Sequence, residues 1–206
     1  MTIYMKINNP TNWETATKYS KKYTKRIEAL FPEIRNIELE ITKMNTSLMD
    51  NENPLSYKRD SLDNKAHIYY NENVVNDIAD EIQIYALLSH EVGHMLADYK
   101  QENCRGTEEE IIADNYAYKL GLGKGLLNAL IHLKNNYNNN QHTLKQQQPF
   151  IFSLPSYSTI VQKNNDEYDR RIGNLKKQLR KTPLLLLKCI IQIRVLLYRI
   201  TNKNSH

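Results

Sequence analysis

Cysteine is scarce in this chain. There are two, Cys104 and Cys189, far apart and without Cys-x-x-Cys spacing. That excludes a disulfide framework and a thiolate zinc site, and it points to a reducing compartment, expected to be the cytoplasm. A secretory h-region is missing as well, since MTIYMKINNPTNWETATK contains no apolar run. No stretch reads as a transmembrane span. The longest apolar run, TPLLLLKCIIQIRVLLYRI at 182–200, is broken by Lys188, Gln192, Arg194 and Arg199, whereas a spanning helix needs about 20 mostly apolar residues. Strong charge is lacking too: a net charge of +5 permits contact with an anionic surface without requiring nucleic acid. The basic residues from Arg170 to Lys181 have no aromatic interleaving, so no nucleic-acid partner is expected. Internal repeats are absent.

What is present is a globular composition, 40% hydrophobic and 25% charged over 206 residues, enough for one domain with a core plus an appendage. A first helix is expected from about Asn12 to Leu30, stopped by Pro32. IELEITK, 37–43, alternates apolar and polar residues and reads as a half-buried strand. Residues 45–64 read as a loop or irregular hairpin, and AHIYY, 66–70, as a second strand. A long helix over 75–98, apolar nearly all round in IQIYALLSHEVGHML, belongs at the centre of the fold. Further helices are expected from Thr107 to near Gly121 and over 124–135.

NNYNNNQHTLKQQQ, 135–148, is low in complexity and reads as a mobile connector. PFIFSLPSYSTIV, 149–161, is expected to dock as an extended segment, and one or two basic helices follow over 166–200. The expected division is therefore 1–134 as the main domain, 135–165 as connector and extended segment, and 166–206 as a basic amphipathic helical segment. In the last of these, Lys181, Lys188, Gln192 and Arg199 line up opposite Leu185, Leu186, Ile193 and Leu197. Such a helix packs on its own domain or on a partner; the sharper reading is peripheral contact with anionic membrane through 182–200.

The chemistry is carried by SHEVGHMLAD, 89–98. On a helix, His90 and His94 stack on one face and can both reach one zinc ion at about 2.0–2.1 Å. Glu91, turned about 100° from His90, is placed beside the metal as a general base rather than on it. A catalytic zinc needs a third protein ligand. The next helix offers Glu108, Glu109, Glu110 and Asp114; Glu110 and Asp114 share a face, one to bind metal and the other to accept a ring N–H of a ligand histidine. Two alternatives stand beside this. Thr107-x-x-Glu110 is a capping box, and Asp98 lies on the face of His94 as a competing ligand. His132 reads as core and His142 as a solvent-facing residue of the Asn/Gln run.

HEVGH followed by EIIADNYAYKLGLGKGLLNALIHL resembles the HtpX and CAAX-prenyl-protease-type zinc metallopeptidases of the gluzincin group, which show HExxH, then ExxAD, a further alanine, a glycine and an A-L-x-x-L helix. Here these are Glu110, Ala113, Asp114, Ala117, Gly121, Ala129, Leu130 and Leu133. Arg171, Ile172 and Leu175 resemble that group's distal Arg-Ile-x-x-Leu element, while the His-Pro that often precedes it is missing. The resemblance implies one zinc per chain bound by His90, His94 and Glu110, with Glu91 as base and Asp114 behind the ligands. The fold it implies is α+β: a zincin-like metallopeptidase domain, mostly helical with a small sheet, plus the C-terminal helical segment. The expected function is a zinc-dependent metalloendopeptidase that hydrolyses peptide bonds through a metal-activated water, acting on a peptide or protein substrate. AHIYY, 66–70, resembles the edge strand before the active helix in such proteases, whose free edge could pair with an extended peptide; the alternative is an ordinary paired strand. His67, Tyr69 and Arg171 are the candidate substrate contacts. The alternative is a zincin-like binding module whose zinc is structural or vestigial.

Overall fold

The alternation at 38–43 folds as a strand, β1 (Glu38–Lys43), with Leu39 and Ile41 buried. It belongs to the computed structural model of the chain, which describes residues 26–27, 29–32, 38–43, 55–59, 65–71, 77–78, 80–102, 105–147, 155–182 and 189–196. Two more strands follow, β2 (Leu55–Arg59) and β3 (Lys65–Tyr70). The sheet order is β1-β3-β2, with β3 parallel to β1 and antiparallel to β2. Of the two readings of 45–64, the hairpin is the one that 55–59 supports, since β2 pairs antiparallel with β3. One expectation is corrected: AHIYY lies in the central strand rather than at an edge. Period-2 patterning tells which face of a strand is buried and nothing about its neighbours.

Ala66, Ile68 and Tyr70 of β3 are buried and join Leu39, Ile41 and Leu55 in the core. Those side chains meet the central helix, α1 (Glu81–Tyr99), which the Asp80 carboxylate caps by accepting from the Ile82 N–H at 2.9 Å. From Tyr85 to Ala97 every residue of α1 except His94 is buried, as its apolar circumference predicts. The second helix, α2 (Thr107–Lys119), packs along α1 and ends where the sequence places its stop. Gly121, at φ 84°, lets the Leu122 N–H reach the Ala117 carbonyl and its own N–H reach Tyr118, closing the helix with a left-handed turn.

The third helix, α3 (Gly123–Gln147), does not stop near residue 135. The Asn/Gln-rich stretch read as a mobile connector continues it. Tyr137 and Gln141 are buried there, and the Tyr137 hydroxyl accepts from the Asn164 amide at 3.1 Å. Tertiary packing on one face thus orders a segment whose composition alone gives little reason to fold. The fourth helix, α4 (Pro155–Lys181), supplies that packing by lying against α2 and α3. It runs through both the stretch expected to be extended and the expected boundary at 165/166. Ile172 and Leu175 of α4 belong to the same core as the sheet and α1, so its helical residues up to Lys181 are part of the main body.

Residues 189–196 are helical, and Ile191 is buried with its Cδ1 over Gly121. No described helix is long and apolar enough to cross a membrane. Of the expected first helix, residues 26–27 and 29–30 are helical, and 12–25 lie outside the described residues, as do Lys188 and Arg199 of the basic stripe. The architecture is α+β, mostly helical around a small sheet.

Candidate metal centre

One turn of α1 separates His90 from His94, and their Nε2 atoms stand 3.1 Å apart. Glu110 comes to them from α2, with Oε2 3.2 Å from His90 Nε2 and Oε1 3.4 Å from His94 Nε2. Tetrahedral zinc with nitrogen and oxygen ligands at about 2.0–2.2 Å sets neighbouring ligand atoms about 3.3–3.6 Å apart. The two histidine nitrogens are close to that spacing, Glu110 meets each of them through a different oxygen, and one ligand atom of each residue lies within 4.8 Å of the others. The chemistry of this donor set, two imidazoles and one carboxylate, fits zinc with an open fourth position.

The crossing of α1 and α2 is close because Gly93 has no side chain to hold the helices apart: a Cβ there would stand 2.6 Å from the Ala113 carbonyl oxygen. The geometry bears on both competing roles for the third position. The residue before α2 is Gly106, at φ 64° and without a side-chain cap, so the Thr107–Glu110 capping box does not form. Asp98 is exposed at the end of α1 and lies outside the group.

Behind the ligands, Asp114 is fully buried. Its Oδ1 lies 2.8 Å from His90 Nδ1, which makes Nδ1 the proton-bearing nitrogen and turns Nε2 toward the centre. Arg171 arrives from α4 and donates through Nε to Asp114 Oδ2 at 3.0 Å and through Nη2 to Oδ1 at 2.8 Å, while Nη1 pairs with Glu110 Oε2 at 2.7 Å. Arg171, expected as a substrate contact, lines the cleft, and its fork is engaged by two carboxylates of α2, which it braces. Glu109, offered by the sequence only as one of four acidic residues on α2, places Oε1 3.5 Å from His94 Nδ1, a longer and more exposed contact than that of Asp114 with His90. Three successive glutamates opening a helix read as favourable charge at an N-terminus, so only the position of His94 singles out Glu109.

These contacts set the protonation states. Burial and the Arg171 guanidinium oppose charge on His90, but hydrogen bonds to Asp114 and Glu110 outweigh them and hold its pKa up at about 9. Burial likewise opposes charge on Glu110 and Asp114. For Glu110 the hydrogen bonds from His90 and His94 prevail, and for Asp114 the Arg171 charge and the His90 hydrogen bond, so both carboxyls lie below their ordinary range. Glu91 behaves in the opposite sense: burial pushes its carboxyl up, against the pull of the two histidines. Its Oε1 lies 4.0 Å from His90 Nε2, beside the ligand group and outside it.

The group opens into a cleft of about 850 Å³. One wall is β2, through Leu55, Ser56 and Tyr57. The opposite walls come from α3, with Leu130, Leu133 and Tyr137, and from α4, with Val161, Glu167 and Tyr168. His67 and Tyr69 do not line it. They stand half-buried on the face of β3 opposite Ile68, with ring centroids 6.1 Å apart; the strand that borders the cleft is β2, the edge strand beside α1. Compared with protein-family models, with curated proteins and with solved structures, the chain matches none.

Proposed function

We propose that the chain is a zinc-dependent metalloendopeptidase with a zincin-like fold, of the HtpX and CAAX-prenyl-protease type that its motifs resemble. The observation that carries this reading is the convergence of His90, His94 and Glu110, with ligand atoms within 4.8 Å of one another in the lining of a cleft and the Glu91 carboxylate beside them. His90, His94 and Glu110 hold the metal, one per chain. A bound zinc supplies Lewis acidity: it polarises the scissile carbonyl and lowers the pKa of a water. Glu91 takes the proton from the attacking water and hands it to the leaving amine; its burial, which raises its proton affinity, suits both halves of that task. Asp114 and Glu109 fix the tautomers of the two histidines, and Arg171 holds Asp114 and Glu110 in register. An extended peptide pairs with the edge of β2, which brings its backbone along the cleft.

The test combines metal and rate. Glu91→Gln keeps the shape of the side chain and loses the base, so it should retain zinc and lose about 10²–10⁴-fold in rate on an unstructured protein such as casein. Glu110→Ala should lose zinc and activity together, whereas Asp98→Ala keeps both. Undiminished cleavage by Glu91→Gln gives the site to the second reading, a binding module with structural zinc.

That second reading has its own observation. Ile193 and Leu196 are exposed on the helical stretch 189–196 while Ile191 anchors it to the body. The apolar surface so displayed, in a basic neighbourhood, fits peripheral contact with anionic lipid.

A further inference from the structure

Among the described residues, every charged group that lines the cleft beside the candidate metal centre has a partner except one. Arg171 spends its donors on Asp114 and Glu110, Glu110 faces the two histidines, and Glu109 faces His94. Glu167 stands one helical turn before Arg171 on α4 and lines the same cleft. It is half-buried and makes no hydrogen bond or ion pair among the described residues. Burial, and after it the negative charge of Glu110, push its carboxyl above the ordinary range, against the pull of Arg171 and of Lys163, a turn earlier and exposed to solvent. Among the described residues, Arg171 is the one lysine or arginine that lines the cleft.

We infer that Glu167 is the specificity-determining residue of the cleft and selects substrates that present a cation, an ammonium or guanidinium, next to the metal centre. The inference rests on the peptidase reading for the identity of the occupant. Its physical basis is separate: a half-buried carboxylate in a concave site favours an incoming positive charge, because the partly desolvated pair interacts more strongly than the same pair in water. A neutral side chain in the same place leaves the carboxylate buried and unmet. The cation has two sources in a peptide, a Lys or Arg side chain or the free α-amino group, and both present the same chemistry.

The experiment measures binding, so that it does not depend on turnover. Zinc-loaded Glu91→Gln protein is titrated, by fluorescence anisotropy, into randomised eight-residue peptide pools carrying one lysine or a norleucine in its place, each with a free or an acetylated N-terminus. Cationic pools should bind on the order of tenfold tighter than the acetylated norleucine pool at low salt. Adding Glu167→Gln should bring that ratio close to one, with Glu167→Asp restoring part of it. Preference in the acetylated lysine pool identifies a side chain as the cation; preference that needs the free N-terminus identifies the α-ammonium. Equal binding of all pools, no binding of any, a preference that survives Glu167→Gln, or loss of zinc in that variant overturns the inference. If wild-type protein cleaves none of the pools while the charge preference stands and disappears with Glu167→Gln, the peptidase reading falls and the recognition role of Glu167 remains.

Discussion

Gly93 of α1 lies against the backbone of Ala113 of α2, so closely that a Cβ on Gly93 would stand 2.8 Å from the Ala113 Cα. Gly93 falls between His90 and His94, and Ala113 between Glu110 and Asp114. This close contact thus lies within the same turns of α1 and α2 that carry the four side chains. Gly93→Ala sets helix propensity against sterics. Alanine gains up to about 1 kcal/mol in a helix, but overpacking against backbone, which cannot swing aside, costs about 1–3 kcal/mol or more. Lower thermal stability and lower zinc content are expected together. A variant that keeps both would show that the helices tolerate a wider crossing and that the ligand spacing does not depend on it.

Asp114 and Arg171 form a buried pair held by two hydrogen bonds. Removing one partner leaves the other charge buried without compensation, which costs about 3–5 kcal/mol. Arg171→Met and Asp114→Leu should each approach that loss in urea unfolding, and the double variant should lose much less than their sum. Additive losses would mean that the two residues stabilise the fold independently, against the brace described above.

Protonation of His90 gives the metal-free protein a pH signature. Its folded pKa, about 9, is above the ordinary 6.5, so its contribution is fully present below pH 6.5 and is lost as pH rises through about 9. Asp114, with its carboxyl depressed, contributes above its ordinary pKa and loses that contribution as pH falls through the lower folded value. Thermal unfolding in chelator should therefore show stability declining from pH 6.5 to 9, by an amount on the order of a few kcal/mol. Zinc must displace the same proton, so its apparent affinity should rise over the same window. A flat profile for both would place His90 in the neutral form throughout.

Ile193 and Leu196 are exposed, so replacing them removes little packing. Ile193→Ser with Leu196→Ser should leave thermal stability within about 0.5 kcal/mol of wild type. If the helix lies on lipid, wild-type protein should sediment with anionic vesicles at low salt, less at high salt, and the double variant should stay in the supernatant. Equal sedimentation of the two proteins would remove the membrane role from this helix.

The legibility of the site followed the range of the interactions. His90, Glu91 and His94 could be placed from spacing alone, because residues one turn apart share a helix face whatever surrounds them. Glu110 was a harder case: Thr107, Glu110 and Asp98 left three local solutions open, and only the position of α2 against α1 brings Glu110 to the histidines. Arg171 was noticed through its motif, but its pairing was not legible. Its partner Asp114 lies 57 positions away, a separation over which a sequence pattern carries no distance. Glu109 stood among four acidic candidates with nothing local to set it apart, and Glu167 gave no signal, since an acidic residue on a helix is ordinarily solvated.

The same boundary runs through the fold. By itself the sequence determined the buried faces of β1 and β3, the apolar α1, the stop at Gly121 and the His-Glu-x-x-His pair, because each is a matter of period, propensity or backbone freedom within a few residues. Only the tertiary structure decided that β3 is the central strand, that β2 borders the cleft, that the Asn/Gln run of α3 is helical, and that α4 closes the metal centre. Those outcomes depend on which surfaces meet. A polar segment such as 135–147 becomes a helix when a partner buries Tyr137 and Gln141, and its own composition carries no record of that partner.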